Sequence, residues 1–543
     1  MNRSHARPLA IVAAAVVLML SLPAQAALDL STASIADLQA AMAKGTLSSE
    51  KLVRLYLARI EAYDGKGPAL NSVITLNKRA LEEAKALDKE RREKGPRSPL
   101  HGIAVLAKDV YDTRDMPTSG GFKPMATSQP DRDAFVIDRL RKAGVVILAK
   151  LNQSDWYGVA APGGSSLKGP VLSPYNPKKS PGGSSSGTGS AIAAWFGTVG
   201  LGSDTTGSIV IPSTLASLVG ISATHGLVSR TGMMWSSPSQ ESGGPMCRSV
   251  ADCAAVLDVI AGYDAADLAV LDVIAGYDAA DLATQASIGK LPEQPYTRFV
   301  SATGLKGARI GVLREMVRSG AVHDEGRALF EKAIADFRAA GAVIVDPVDT
   351  GLGLADSQVL ADAPRYEVAT AIDAYLAGLP ASAPIRSVAE MIAKGGALVK
   401  PRIVESYQYG PIDHSPELLA AMKHQTVMRE ALTGLIDRYQ LDGLILPYRT
   451  ALDDDFKATP NPPAVPGARS ENRNAIASYT GLPTIVVPGG YFASDGMPFA
   501  VQFLGKPFTE PTLIRLASGY EAATHHRKAP ALTPPLAGET LLP

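Results

Sequence analysis

Cysteine is nearly missing from this chain: Cys247 and Cys253 are the only two in 543 residues. That scarcity excludes a disulfide scaffold as the source of stability, and the pair offers no zinc-binding pattern. The two thiols stand close in sequence, so either a bridge or two buried free thiols fits, and free thiols are the plainer expectation. Charge of one sign is missing as well. Basic and acidic residues number 53 each, so the formal net charge is zero and no global field draws the protein to nucleic acid or anionic membranes. The charged run Lys89-Glu90-Arg91-Arg92-Glu93-Lys94 mixes signs and reads as a solvated helix face. Histidine is scarce too, at 8 residues, which leaves few candidates for imidazole chemistry.

What is present is a globular balance, 46% hydrophobic and 20% charged, in a chain far longer than one minimal core needs. Arg3 and Arg7 precede an apolar stretch, Leu9 to Leu22, followed by the small residues of Ala24-Gln25-Ala26. That layout predicts a secretory signal peptide over residues 1–26, removed to leave a mature chain from Ala27 with no stable membrane anchor. Helical periodicity marks Ile35–Ala43 and Leu52–Tyr63, with Ser48 and Ser49 as caps, and Lys78–Glu93 and Ala134–Ala143 follow. Short β-like runs stand at Ile103–Leu106, Val145–Ala149, Val199–Leu201, Ile310–Leu313, Val343–Val345, Leu444–Leu446, Thr484–Val487 and Ala500–Phe503, with a further helix over Glu325–Ala340. Strands alternating with helices from end to end predict an α/β fold, with a mixed, largely parallel central sheet covered by helices on both faces. No linker divides it. Residues 27–543 read as one large domain, with 285–440 as a less patterned, peripheral subregion. Ala255–Leu268 reads AVLDVIAGYDAADL and Ala269–Leu282 repeats it letter for letter, too short a unit for a solenoid and best taken as a surplus tandem copy.

Residues 181–213, PGGSSSGTGSAIAAWFGTVGLGSDTTGSIVIPS, form the densest Gly/Ser stretch, yet they enclose an apolar helical run and a strand-like run. Turns of small residues tied to core elements let backbone N–H groups crowd around one point, as an oxyanion site requires. Two short hydrolase patterns also occur here. Gly183-Ser184-Ser185-Ser186-Gly187 fits G-x-S-x-G but lacks the preceding apolar strand. Ser165-Ser166-Leu167-Lys168 fits S-x-x-K but has no K-T-G downstream.

Taken whole, the stretch resembles the Gly/Ser-rich signature of the amidase signature family. HGIAVLAKDVYDT (His101–Thr113) resembles that family's lysine strand and turn, and GGPMCRSVAD (Gly243–Asp252) a block that follows the signature. YTGLPTIVVPGGY and GMPFAVQFLGKPF resemble its closing strands. The blocks keep the family's order over most of the chain, and exported peptide amidases are the nearest comparison. The resemblance implies a Ser–cisSer–Lys amidase without cofactor or metal, acting on a small-molecule or peptide amide. By that resemblance Lys108 is the catalytic lysine, Ser184 the bridging serine after a cis peptide and Ser208 the nucleophile. The backbone N–H groups of Thr205, Thr206, Gly207 and Ser208 form the oxyanion hole. Four positions depart from the family pattern: Ala104 for a usual proline, Val110 for Asn, Thr206 for Gly and Val210 for Arg. Thr206 could narrow the oxyanion pocket, and Val210 could change how the nucleophile loop is anchored.

The chemistry needs such a set. Attack on an amide requires a serine to lose its proton and the departing amine to gain one, and a relay through Ser184 between Ser208 and Lys108 serves both transfers. A lysine acts as a base only when neutral, which burial favours. Any one of these residues alone would read as a snorkelling lysine or a turn serine. Asp109 and Asp204 read as structural acceptors for loop N–H groups, and His225, His525 and His526 as surface or loop residues. Trp156, Tyr157 and Met234 fit either a substrate pocket or the core. Two rival readings stand beside the amidase: an α/β-hydrolase esterase using Ser185 with His525 or His526, and an exported solute-binding protein.

Overall fold

The computed structural model describes residues 28–160, 163–261, 282–317, 320–354, 363–410, 416–451 and 475–541. The expected leader and most of the second repeat copy lie outside the described residues. The first copy opens inside the helix Val250–Ile260.

Eleven strands build one central sheet. In chain order they are β1 (Val73–Leu76), β2 (Ala104–Lys108), β3 (Val146–Leu151), β4 (Val199–Asp204), β5 (Val219–Ser222), β6 (Ser242–Cys247), β7 (Arg309–Leu313), β8 (Val343–Val348), β9 (Gly443–Pro447), β10 (Thr484–Tyr491) and β11 (Pro498–Leu504). Across the sheet they lie in the order β8-β7-β9-β11-β10-β5-β6-β4-β2-β3-β1. Parallel pairing is confined to two runs, β8-β7-β9 and β4-β2-β3. The strands between those runs pair antiparallel, as does the edge pair β3-β1. The fold is therefore α/β and mixed, with a smaller parallel share than the alternation of strands and helices suggests. The reason is local: β10 and β11 are joined by the tight turn 492–497, which closes with Phe492 N–H on the Met497 carbonyl and can only link antiparallel neighbours.

β2, β3 and β4 are buried at every residue. Strands buried on both faces carry apolar side chains in both directions, which explains Ala-Val-Leu-Ala and Val-Ile-Leu-Ala runs without polar alternation. One large apolar cluster spans most of the sheet. A second joins β7–β9 to the long helix Pro416–Arg438 through Leu313, Val348, Met428, Leu432 and Leu444. Within the segment 285–440, β7 and β8 pair in the central sheet, while Ala363–Ala377, Val388–Gly395, Pro401–Tyr409 and Pro416–Arg438 form successive helices.

The two ends of the described chain meet. Leu28–Asp29 pairs antiparallel with Thr540–Leu541, and buried Arg59 forms a 2.7 Å ion pair with Glu539. The Arg59 guanidinium also donates to Ala194 O at 2.6 Å and stacks 3.5 Å over the Trp195 ring.

The cysteines correct the expectation of free thiols: Cys247 and Cys253 form a disulfide. Cys247 ends β6, Cys253 lies in the first turn of Val250–Ile260, and the short corner between them leaves their Cα atoms 5.5 Å apart, within bridging range.

Candidate active site

β2 and β4 are parallel neighbours, with Ala107 opposite Leu201, so both present their C-terminal ends to one edge of the sheet. That edge is where loops gather in α/β sheets. Lys108 is the last residue of β2 and Asp204 the last of β4. Lys108 is fully buried, and its Nζ donates to Ser184 Oγ at 2.6 Å and to Ser203 Oγ at 2.9 Å. The Trp156 ring lies 5.0 Å from Nζ. Burial pulls the Lys108 pKa down to about 7, against the opposing pull of the Glu241 and Asp204 carboxylates. Ser184 follows a cis Gly183–Ser184 peptide, and its carbonyl accepts the Ser154 N–H at 3.0 Å.

The Thr205–Ser208 loop is held by Asp204. That carboxylate accepts N–H groups from Gly207 at 2.5 Å, Ile209 at 2.9 Å and Val210 at 3.4 Å, and the Ser478 hydroxyl at 2.5 Å. The turn needs a residue at φ +95°, and Gly207 supplies it without a Cβ penalty. Among the four expected oxyanion donors, the Gly207 N–H is therefore already taken by Asp204 and Ser478. The N–H groups of Thr205, Thr206 and Ser208 donate to no acceptor among the described residues. Ser208 sits 7% exposed at the loop.

The departures from the family pattern are accommodated. Thr206 is exposed, so its side chain does not crowd the loop. Val210 is buried with Tyr448, Val486 and Ala500, an apolar seat in place of a charged anchor. Ala104 and Val110 are fully buried. Asp109 and Asp204 serve loops as expected: Asp109 accepts from Ser119 and Gly121 and pairs with buried Lys150 at 3.0 Å. Trp156, Tyr157 and Met234 are all buried, and of these Trp156 caps the lysine.

The esterase reading finds no geometry. Ser185 Oγ donates to Ser203 O at 3.2 Å and receives the Ser203 N–H at 3.3 Å, with no histidine bonded to it among the described residues. His225 donates its N–H to Gly481 O, His525 caps the helix Glu510–Thr524, and His526 lies 3.4 Å from Asp336. Three participants escaped the sequence reading. Ser203 bonds the lysine, Ser478 braces Asp204, and Glu241, fully buried, accepts the Thr205 hydroxyl at 2.6 Å. Ser203 was findable, since it stands one residue before Asp204 on the strand beside β2; the other two join the site only through the folded chain. Among the described residues, no cluster of His, Cys, Asp and Glu could hold a metal ion.

Comparison with known proteins agrees with this arrangement. The family model described as Amidase matches residues 51–514. A probable amidase of Arabidopsis thaliana is 32% identical, over 92% of each chain. The amidase-like component of glutamyl-tRNA(Gln) amidotransferase from Cupriavidus metallidurans is 32% identical, over 92% of this chain and 99% of that one. The solved structure of native peptide amidase from Stenotrophomonas maltophilia superposes with a TM-score of 0.78 at 34% identity, covering 92% of this chain and 99% of that chain. A match of this extent, over blocks that fold around a buried lysine and two serine-bearing loops, means that the chain belongs to the amidase signature family of amide-bond hydrolases.

Proposed function

We propose that this protein hydrolyses linear amides, peptide amides among them, through an acyl-enzyme on Ser208. The observation that carries the reading is Lys108, fully buried and 2.6 Å from Ser184 Oγ, at the sheet edge that bears the Ser208 loop. Ser208 Oγ attacks the amide carbon while its proton passes to Ser184 Oγ, and the Ser184 proton passes to neutral Lys108. The tetrahedral oxyanion is met by the N–H groups of Thr205, Thr206 and Ser208, and by Gly207 if it releases Asp204. Lys108 then returns its proton through Ser184 to the departing nitrogen as the carbon–nitrogen bond breaks, and water repeats the sequence on the ester. The preference for peptide amides rests on the likeness to peptide amidase over nearly the whole of that chain.

The test is turnover on a panel of a dipeptide amide, an anilide and a short aliphatic amide, with fluorophosphonate labelling alongside. Ser208→Ala abolishes both turnover and labelling. Ser184→Ala and Lys108→Ala lower turnover by about 10²–10⁴-fold. Near-normal hydrolysis by Lys108→Ala overturns the mechanism, and loss of labelling in Ser185→Ala alone favours the esterase. A peptide amide turned over no better than the other two removes the substrate preference and leaves the mechanism standing.

The leader pattern at 1–26 and the disulfide together support export to the periplasm or medium. Sequencing of the exported protein then reads from Ala27; an intact Met1 in a membrane fraction refutes the processing.

A further inference from the structure

Glu241 is a buried carboxylate that the amide chemistry does not call for. Ser242 pairs with Asp204 at the head of β6, so the residue before it falls beside the Thr205–Ser208 loop. Glu241 Oε2 accepts the Thr205 hydroxyl at 2.6 Å and the Ser236 N–H at 3.4 Å. Oε1 is buried with no hydrogen-bond partner among the described residues. A fully buried carboxylate with one oxygen unsatisfied is costly, and it persists where something nearby needs its charge.

Lys108 is the cation in question. Its field acts on Glu241 and that of Glu241 acts on it, although no contact within ion-pair distance joins them among the described residues. The other groups facing this pocket are accounted for. Asp204 is spent on the Gly207, Ile209 and Val210 N–H groups and on Ser478. Tyr111, which feels the Glu241 charge, donates to Gly202 O at 2.7 Å. Lys400, whose site feels Lys108, donates to the Asp155 and Trp156 carbonyls. Lys150 is paired with Asp109.

We propose that Glu241 is a positioning residue of the catalytic loop: it clamps Thr205, so that the oxyanion-binding N–H groups keep their direction, and it supplies negative charge to the Lys108 site. The two tasks belong to different parts of one side chain. The clamp needs an acceptor at the position of Oε2, while the charge needs only ionisation. Without the charge, Lys108 loses its proton too readily to hold it for the leaving nitrogen. Without the clamp, the loop donors scatter.

This inference rests on Lys108 acting as the base, and the experiment separates the two. Turnover of an amide substrate is measured from pH 5 to 9 for wild type, Glu241→Gln, Glu241→Asp and Thr205→Val, with Lys108→Ala as the control and melting temperature as the check on folding. Glu241→Gln removes the charge and keeps an acceptor, and the ascending limb of kcat/KM moves to lower pH by about one unit. Thr205→Val removes the clamped hydroxyl and keeps the charge, so kcat falls about tenfold with the limb in place. Glu241→Asp keeps the charge but draws the acceptor back, and follows Thr205→Val. A Glu241→Gln enzyme with the wild-type limb and rate overturns the proposal. If that variant does not fold, Thr205→Val at wild-type turnover overturns it instead. Near-normal turnover by Lys108→Ala brings down the mechanism itself, a different result from either.

Discussion

A lysine that must accept a proton from a serine has to be uncharged at the working pH. Lys108 approaches that state by losing its water, while Ser184 and Ser203 lend it hydroxyls that bond either form. The sign of the pH dependence follows. Below about pH 7 the ammonium dominates and cannot act as a base; above it the free amine does, so kcat/KM rises through that pH and then levels. A flat profile from pH 5.5 to 8.5 contradicts the assignment. Arginine cannot be deprotonated in this range, so Lys108→Arg is expected to fold yet lose turnover by at least about 10²-fold. At this scale much was legible before folding. Lys108, Ser184 and Ser208 are recognisable because each sits in a motif whose neighbours are fixed by turn chemistry. Glu241 and Ser478 carry no such flag: a glutamate before Ser-Gly-Gly and a serine in Ala-Ser-Tyr look like surface residues until β4 and β6 pair and the helix Ile476–Thr480 docks.

The elements were read well where periodicity is clean and poorly where glycine intervenes. Ile35–Ala43 is a helix with the expected ends, Ser48 caps Ser49–Tyr63, and the strand runs on either side of the catalytic lysine fall within a few residues of their observed bounds. β6 was missed because Ser-Gly-Gly-Pro-Met-Cys reads as a turn. It is a strand because its neighbours leave no room for side chains: a Cβ on Gly244 would lie 2.0 Å from the Ile221 carbonyl oxygen. The loop after β4 is an element in its own right, organised on one carboxylate. Asp204→Ala strands three N–H groups and a hydroxyl, so it is expected to lower unfolding stability by about 3 kcal/mol and to abolish fluorophosphonate labelling. Denaturant titration of the purified variant measures the first. Wild-type stability would mean that the loop is held by something else. The Cys247–Cys253 bridge closes a short loop, so its entropic contribution is modest, about 2 kcal/mol on a chain-entropy estimate. Reduction should lower the melting temperature by a few degrees without abolishing hydrolysis.

On the scale of the molecule, the α/β class and the single sheet followed from the alternation of strands and helices, but its antiparallel middle did not. Strand order depends on which buried faces find each other, and sequence neighbours do not reveal that. Equally invisible was the closure of the chain on itself through Arg59. Its guanidinium lies inside the fold, and its carboxylate partner there, Glu539, comes from the last described residues. Glu539→Ala leaves a buried, uncompensated cation and is expected to cost about 3–5 kcal/mol. Adding Arg59→Met recovers part of that loss, because the charge disappears with its partner. A melting temperature unchanged in Glu539→Ala would show that the pair is dispensable.

The same closure sets an order of events during synthesis. Arg59 leaves the ribosome early, whereas the groups that satisfy it, Glu539 and the carbonyls of Thr533 and Pro534, are among the last to appear. Until then the helix Ser49–Tyr63 carries a guanidinium toward an apolar interior with no counter-charge, and the partner of Leu28–Asp29 does not yet exist. A nascent chain stalled before Thr533 should remain protease-sensitive even with the whole sheet already made, and only its release should let the amino-terminal helices lock down.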